Sequence, residues 1–186
     1  MQSSGESTGA PVMVDGSPGP VSQLIDTLRS GLAEAINQLG SGHPGVVSIR
    51  NELARVCRYA RRFDEALGLY AQTLAVQQRV HGPDHPATLR ARSRLGNTYY
   101  AARQYPQAMR WFRAILVKRE RVLGPDHPDT LRSKSSLANT HLAMGHPIQA
   151  ARLHGETLEA RTRVLGPDHV RTKSSRRRLQ AACRLI

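Results

Sequence analysis

Residues 123–128 read LGPDHP, and the phrase returns as HGPDHP at 81–86 and LGPDHV at 165–170. An acid beside a histidine, three times over, raises the possibility of a catalytic or metal-binding couple. The same letters also suit a joint between helices. An apolar residue closes one helix, Gly124 ends it, and Pro125 prevents continuation. Asp126 or His127 then offers a capping acceptor, and Pro128 suits the first helical position. Which of the two caps is left open by the sequence.

Working outward from the joint, His43, His85, His127 and His169 are each 42 residues apart. Aligning on them gives three full units, 43–84, 85–126 and 127–168, and a half unit, 169–186. Leu53, Leu95, Leu137 and Leu179 fall in one column, and Ala54, Gly96 and Ala138 in the next. Ala66, Ala108 and Ala150 share another, as do Leu74, Leu116 and Leu158. Small residues beside large ones at helical spacing describe a hairpin of two packed helices. In the second unit helix A runs from about Pro86 to Ala102 and helix B from about Tyr105 to Val122, with RR, RQ and GH as the three hairpin turns. A fixed period of this size makes a solenoid, whose units bury their apolar faces only by stacking. The fold class expected is therefore all-α, an α-solenoid of antiparallel helix hairpins.

The stretch LGNTYYAARQYPQAMRWFRAIL at 95–116 resembles the tetratricopeptide repeat signature, with Leu95, Gly96, Tyr99, Tyr105, Ala108 and Phe112 on its positions. LARVCRYARRFDEALGLYAQTL at 53–74 and LANTHLAMGHPIQAARLHGETL at 137–158 follow it, although Pro147 and His154 stand where aromatics are expected. The 42-residue length and the GPDHPxT joint resemble the kinesin-light-chain type of this repeat, common in bacterial repeat proteins. The resemblance covers 21–186 and implies a right-handed superhelix that binds an extended peptide or partner protein in a groove lined by the A helices. Transferred unit by unit, the groove positions are Asn51, Arg55 and Arg58; then Arg90, Ser93, Asn97 and Tyr100; then Arg132, Ser135, Asn139 and Leu142; and Arg177 and Arg184 in the last helix. Arginine clamps carboxylates or phosphates, and asparagine pairs with a peptide backbone on two sides, so the partner implied is acidic or phosphorylated.

The ends follow the same pattern. Residues 1–20 are rich in Gly, Ser and Pro and read as a disordered lead-in. Residues 21–42 read as a half-repeat whose helix, 21–39, places Leu24, Leu28 and Leu32 in the columns of Ala66, Tyr70 and Leu74. Residues 169–186 read as a capping half-repeat with Leu179 and Cys183 turned inward and Arg176, Arg177 and Arg178 outward, or as the place where a chain cut from a longer array ends within a repeat. Cys57 and Cys183 have no ligand spacing and read as small core residues.

The chain carries a formal charge of +13, concentrated as +7 over residues 85–126 and +6 over 169–186. Such charge favours anionic partners. Non-specific binding to nucleic acid or an anionic surface is one alternative, carried by the middle unit and RTKSSRRRLQAACR at 171–184. Against it, aromatics are 4% of the chain, and Phe63, Tyr70, Tyr99, Tyr105 and Phe112 fall in core columns, leaving few rings to stack on bases. A second alternative is a regulatory module that self-associates end to end instead of staying monomeric. Catalysis is not expected: equivalent histidines lie on the order of 10 Å apart in a stack, too far to share a metal bonded at ~2 Å, and the side chains of adjacent Asp126 and His127 diverge. No cofactor motif is present, no run is apolar enough to span a membrane, and the start does not read as a signal peptide, so a cytoplasmic setting is expected.

Overall fold

The structure, a computed structural model, describes residues 19–186; the lead-in expected over 1–20 lies, for residues 1–18, outside the described residues. Eight helices and no strand make up the described part: α1 (Pro20–Leu39), α2 (Pro44–Tyr59), α3 (Phe63–His81), α4 (Pro86–Ala101), α5 (Tyr105–Leu123), α6 (Pro128–Ala143), α7 (Pro147–Leu165) and α8 (Val170–Cys183). Each packs chiefly on the next in chain order, which is the α-solenoid. The A helices are α2, α4, α6 and α8; the B helices are α1, α3, α5 and α7.

At each joint it is the histidine that caps. Nδ1 of His43, His85, His127 and His169 accepts the backbone N–H of Gly45, Ala87, Asp129 and Arg171 at 3.1–3.2 Å. The aspartate is free to reach the neighbouring unit instead. Asp84 pairs with Lys118 and Arg121, and Asp126 pairs with Arg163 through both oxygens at 2.7 Å. At the joint before the first unit Gly42 occupies the aspartate position, and Arg79 has no such partner there. The glycine is required more strictly than a left-handed cap would require it. Gly82, Gly124 and Gly166 hold φ of 85, 88 and 86° with ψ of 162–171°, a region open essentially to glycine alone. We expect His127→Ala to cost about 1 kcal/mol, as for loss of other N-caps. Asp126→Asn should cost less than about 1 kcal/mol, since the Arg163 pair is exposed. Urea unfolding of both variants checks this, and a larger loss at Asp126 would reverse the assignment of roles.

The aligned columns form the interior. Leu53, Leu95 and Leu137 are buried, Ala54 and Ala138 wholly so, and Ala66, Ala108 and Ala150 likewise. Tyr70 and Phe112 are buried; Phe63, Tyr99 and Tyr105 are only half-buried. Two expectations at the ends are corrected. Leu24 is 47% exposed, and Ile25, one residue on, is the buried one. The Ala66 column is covered by the A helix of its own hairpin, and no helix precedes α1 among the described residues. Cys183 is exposed and Leu179 half-buried, the inward face of α8 being Thr172, Ser175 and Ala182. Cys57, in the same column as Cys183, is covered by a following B helix; α8 has none in the described chain.

Candidate functional site

Two adjoining cavities open where α4, α6 and α8 run side by side. The first, of about 170 Å³, is lined by Asn97 and Tyr100 of α4, Phe112 of α5, and Ser136 and Asn139 of α6. The second, of about 270 Å³, is lined by Pro128, Arg132, Ser135, Ser136 and Asn139 of α6, Arg161 of α7, and Arg171, Ser174 and Arg178 of α8. Ser136 and Asn139 belong to both, so the two form one continuous depression. A larger opening of about 510 Å³, beside Arg113 and Val117, is lined by α5 alone and is a dent in one helix face.

Of the groove positions read from the sequence, Asn97, Tyr100, Arg132, Ser135 and Asn139 come together here. The others do not line it. Asn51, Arg55 and Arg58 lie on α2, where Arg55 pairs with Glu52 and the Arg58 guanidinium lies 5.8 Å from the Tyr59 ring centroid. An acid therefore stands beside the first unit's arginines, in a column absent from the groove positions. Ser93 Oγ donates to the Leu89 carbonyl of its own helix at 3.0 Å, and Arg90 is exposed to one side. Arg177 is exposed outside both cavities, and Arg184 lies just beyond the last residue of α8.

The residues missed by the sequence reading are Ser136, Arg161, Arg171, Ser174 and Arg178. Arg178 is the neighbour of Arg177, and among three consecutive exposed arginines only the phase of α8 selects which borders the cavity. Arg94, Ser136 and Arg178 share one 42-residue column, so the alignment carried a signal for it. Arg161 comes from a B helix, outside any list restricted to A helices.

Four arginines line the second cavity. Arg161 is buried, its Nη1 donating to Ser175 Oγ at 2.6 Å and to the Arg171 carbonyl at 3.5 Å. Burial, and then the charges of Arg178, Arg171 and Arg132, push its guanidinium below the usual arginine range. Arg132, itself exposed, pairs with the half-buried Asp129 at 3.0 Å. Ser135 Oγ is buried with no hydrogen-bond partner. Behind the cavity His154 is 1% exposed with neither ring nitrogen partnered; burial, then the nearby Arg178 and Arg161, bring its pKa down to about 4. Burial likewise raises the Tyr100 hydroxyl, whose ring meets Tyr105 edge-on at 5.4 Å. Among the described residues no three His, Cys, Asp or Glu side chains gather as metal ligands, and no helix is long and apolar enough to cross a membrane.

Two family models, both described as tetratricopeptide repeat, match residues 45–116 and 130–171, together more than half of the chain. Crystal structures of a kinesin-light-chain-type protein from Podosopora anserina with nearly identical TPR-like repeats, and of a single-substitution variant of it, superpose with TM-scores of 0.75 and 0.76. Each is 25% identical, with 90% of this chain and 79% of that one aligned. BtubC (BKLC) from P. vanneervenii superposes with a TM-score of 0.73 over 90% of this chain and 66% of its own, at 16% identity, a likeness of fold alone. Comparison with curated proteins returned no match.

Proposed function

We propose that this chain, which belongs to the tetratricopeptide repeat family and carries repeats of the kinesin-light-chain-like type, is a protein-interaction scaffold that holds an extended acidic segment of a partner protein along its A helices. In this reading 43–84, 85–126 and 127–168 are the repeats, flanked by half-repeats at 21–42 and 169–186, and the module binds without catalysing a reaction. One observation carries it. The continuous depression over α4, α6 and α8 is lined by four arginines, two asparagines, three serines and a tyrosine, with no carboxylate among its lining residues. Asn97 and Asn139, one repeat apart, suit successive backbone amides of an extended chain, and Arg132 suits its acidic side chains.

The test is a charge reversal. With a fluorescein-labelled, glutamate-rich peptide as probe, the double variant Arg132→Glu/Arg178→Glu should weaken binding at least about tenfold, equivalent to about 1.4 kcal/mol. Helicity should be unchanged, because both side chains are exposed. Unaltered binding would remove the groove assignment. Concentration-dependent mass in sedimentation, with no peptide binding, would favour self-association through the ends of the stack.

A further inference from the structure

We infer that the cavity enclosed by α6, α7 and α8 is a receptor for the phosphate group of a phosphorylated side chain, phosphoserine or phosphothreonine, on the extended partner segment. The inference rests on the acidic-segment reading and narrows its ligand.

Charge number favours phosphate over carboxylate. A single carboxylate brings one negative charge, whereas Arg132, Arg161, Arg171 and Arg178 converge on this cavity from three helices. A phosphomonoester carries about −1.5 to −2 at neutral pH and presents three strong acceptor oxygens. Among the described residues neither Arg171 nor Arg178 pairs with a carboxylate, and Arg132 alone of the four has one, Asp129 at 3.0 Å. The four arginines therefore outnumber the carboxylates beside them, and burial, then the charges of Arg178, Arg171 and Arg132, hold the Arg161 guanidinium below the usual arginine range. Like charges gathered around one cavity raise the local potential for an anion.

An unmet hydrogen bond points the same way. Ser135 is only 2% exposed, lines the cavity, and its Oγ has no partner. A buried hydroxyl left unpaired is unfavourable, so an acceptor oxygen placed in the cavity has a donor waiting. Ser136, Ser174 and the Asn139 amide add further donors around the rim. The guanidinium of Arg161 is held in place by Ser175 Oγ, which lowers the ordering cost of using it.

The surroundings of the cavity select a peptide as the carrier. Through Ser136 and Asn139 it opens into the 170 Å³ cavity walled by Tyr100 and Phe112, which suits the side chain next to the phosphorylated one. A nucleic-acid strand would need a row of rings for its bases, and Tyr100 is the one aromatic residue on the A-helix wall of this depression.

The experiment compares three fluorescein-labelled peptides of one Gly/Ala sequence carrying phosphoserine, glutamate or serine at the centre. Each is titrated against the full chain by anisotropy. The phosphoserine peptide should bind at least about tenfold more tightly than the glutamate peptide. Its affinity should fall between pH 7.5 and 5.5, as the phosphate gains its second proton near a pKa of about 6. Arg178→Glu should abolish the phosphoserine preference. Arg176→Glu, the same charge change on the outer face of α8, should leave it within about twofold, because screening at physiological salt confines exposed charges to a range of about 8 Å. Far-ultraviolet circular dichroism verifies the fold of both variants, and displacement of the peptide from the unaltered protein by inorganic phosphate gives a readout that needs no variant. Equal binding of the phosphoserine and glutamate peptides, or equal effects of the two arginine variants, would overturn the inference while leaving the acidic-segment reading intact. Failure of both anionic peptides to bind would overturn both. Tighter binding of mixed-sequence RNA or of phosphatidylserine vesicles, lost in Arg178→Glu, would assign the cavity to those phosphates instead.

Discussion

Phe112→Ala is expected to lower the stability of the folded chain by about 3–5 kcal/mol, the usual cost of emptying a buried aromatic site. The ring is 3% exposed and sits among Ala108, Ile115, Leu116, Leu137, Ala138 and Leu153, which belong to two successive hairpins. Loss of the ring therefore weakens both a hairpin and the stacking surface beside it, and stacking supplies the cohesion of a repeat array. Its partner is Gly96. A Cβ built there would lie 2.8 Å from Cε1 of Phe112, closer than real Cβ atoms approach, and a tight 3.1 Å from Cδ1. Gly96 is thus needed for close approach and not for an unusual backbone angle. Gly96→Ala alone should cost about 1–3 kcal/mol through overpacking, less up to about 1 kcal/mol regained in helix propensity. In a Phe112→Ala background the same change should be neutral or stabilising, because the clash is gone. Urea unfolding of the two single variants and the double variant gives the coupling, and strictly additive losses would show that glycine and ring do not depend on each other.

Acidification from pH 6.5 to pH 4 is expected to remove about 3 kcal/mol of stability through His154 alone, at about 1.36 kcal/mol per unit of pKa difference. The pKa falls from 6.5 to about 4 on folding, because burial and the charges of Arg178 and Arg161 oppose a second proton. The folded state therefore holds the neutral ring. Its contribution is complete above pH 6.5, declines as the unfolded chain takes up the proton, and is lost by pH 4. His154 occupies the column of Tyr70 and Phe112, and neither of its nitrogens has a partner. His154→Phe should flatten the stability profile over this window. It should also stabilise the protein at pH 7 by about 1–2 kcal/mol, as removal of an orphaned buried polar group does. Thermal unfolding at several pH values measures both effects, and an unchanged slope in His154→Phe would show that the imidazole does not titrate against folding.

The LGPDHP joint illustrates how far the letters alone lead. Glycine, proline and an acceptor in that order mark a helix boundary, because each removes or supplies a local backbone option. The 42-residue spacing turned that boundary into an architecture. Asn97, Tyr100, Arg132, Ser135 and Asn139 came as wall positions from the resemblance to the tetratricopeptide repeat, carried from unit to unit, and the structure brings them beside one depression. Asn51, Arg55 and Arg58 share the same columns yet lie outside the depression, where an acid, Glu52, has claimed Arg55. Column membership specifies a face; it does not specify the neighbours that arrive from the next helix.

By itself, then, the sequence determined the repeat length, the helix boundaries and most of the interior, since these depend on residues close along the chain or exactly repeated within it. Tertiary structure alone decided that His127 caps while Asp126 reaches Arg163 in the next unit, and that Ile25 rather than Leu24 is covered. It also decided that Arg178 and not Arg177 joins Arg132, Arg161 and Arg171 around one cavity. Each of these depends on the rotation of one helix against another. A single step along a helix turns a side chain by about 100°, so neighbours with equal propensity are separated only by packing.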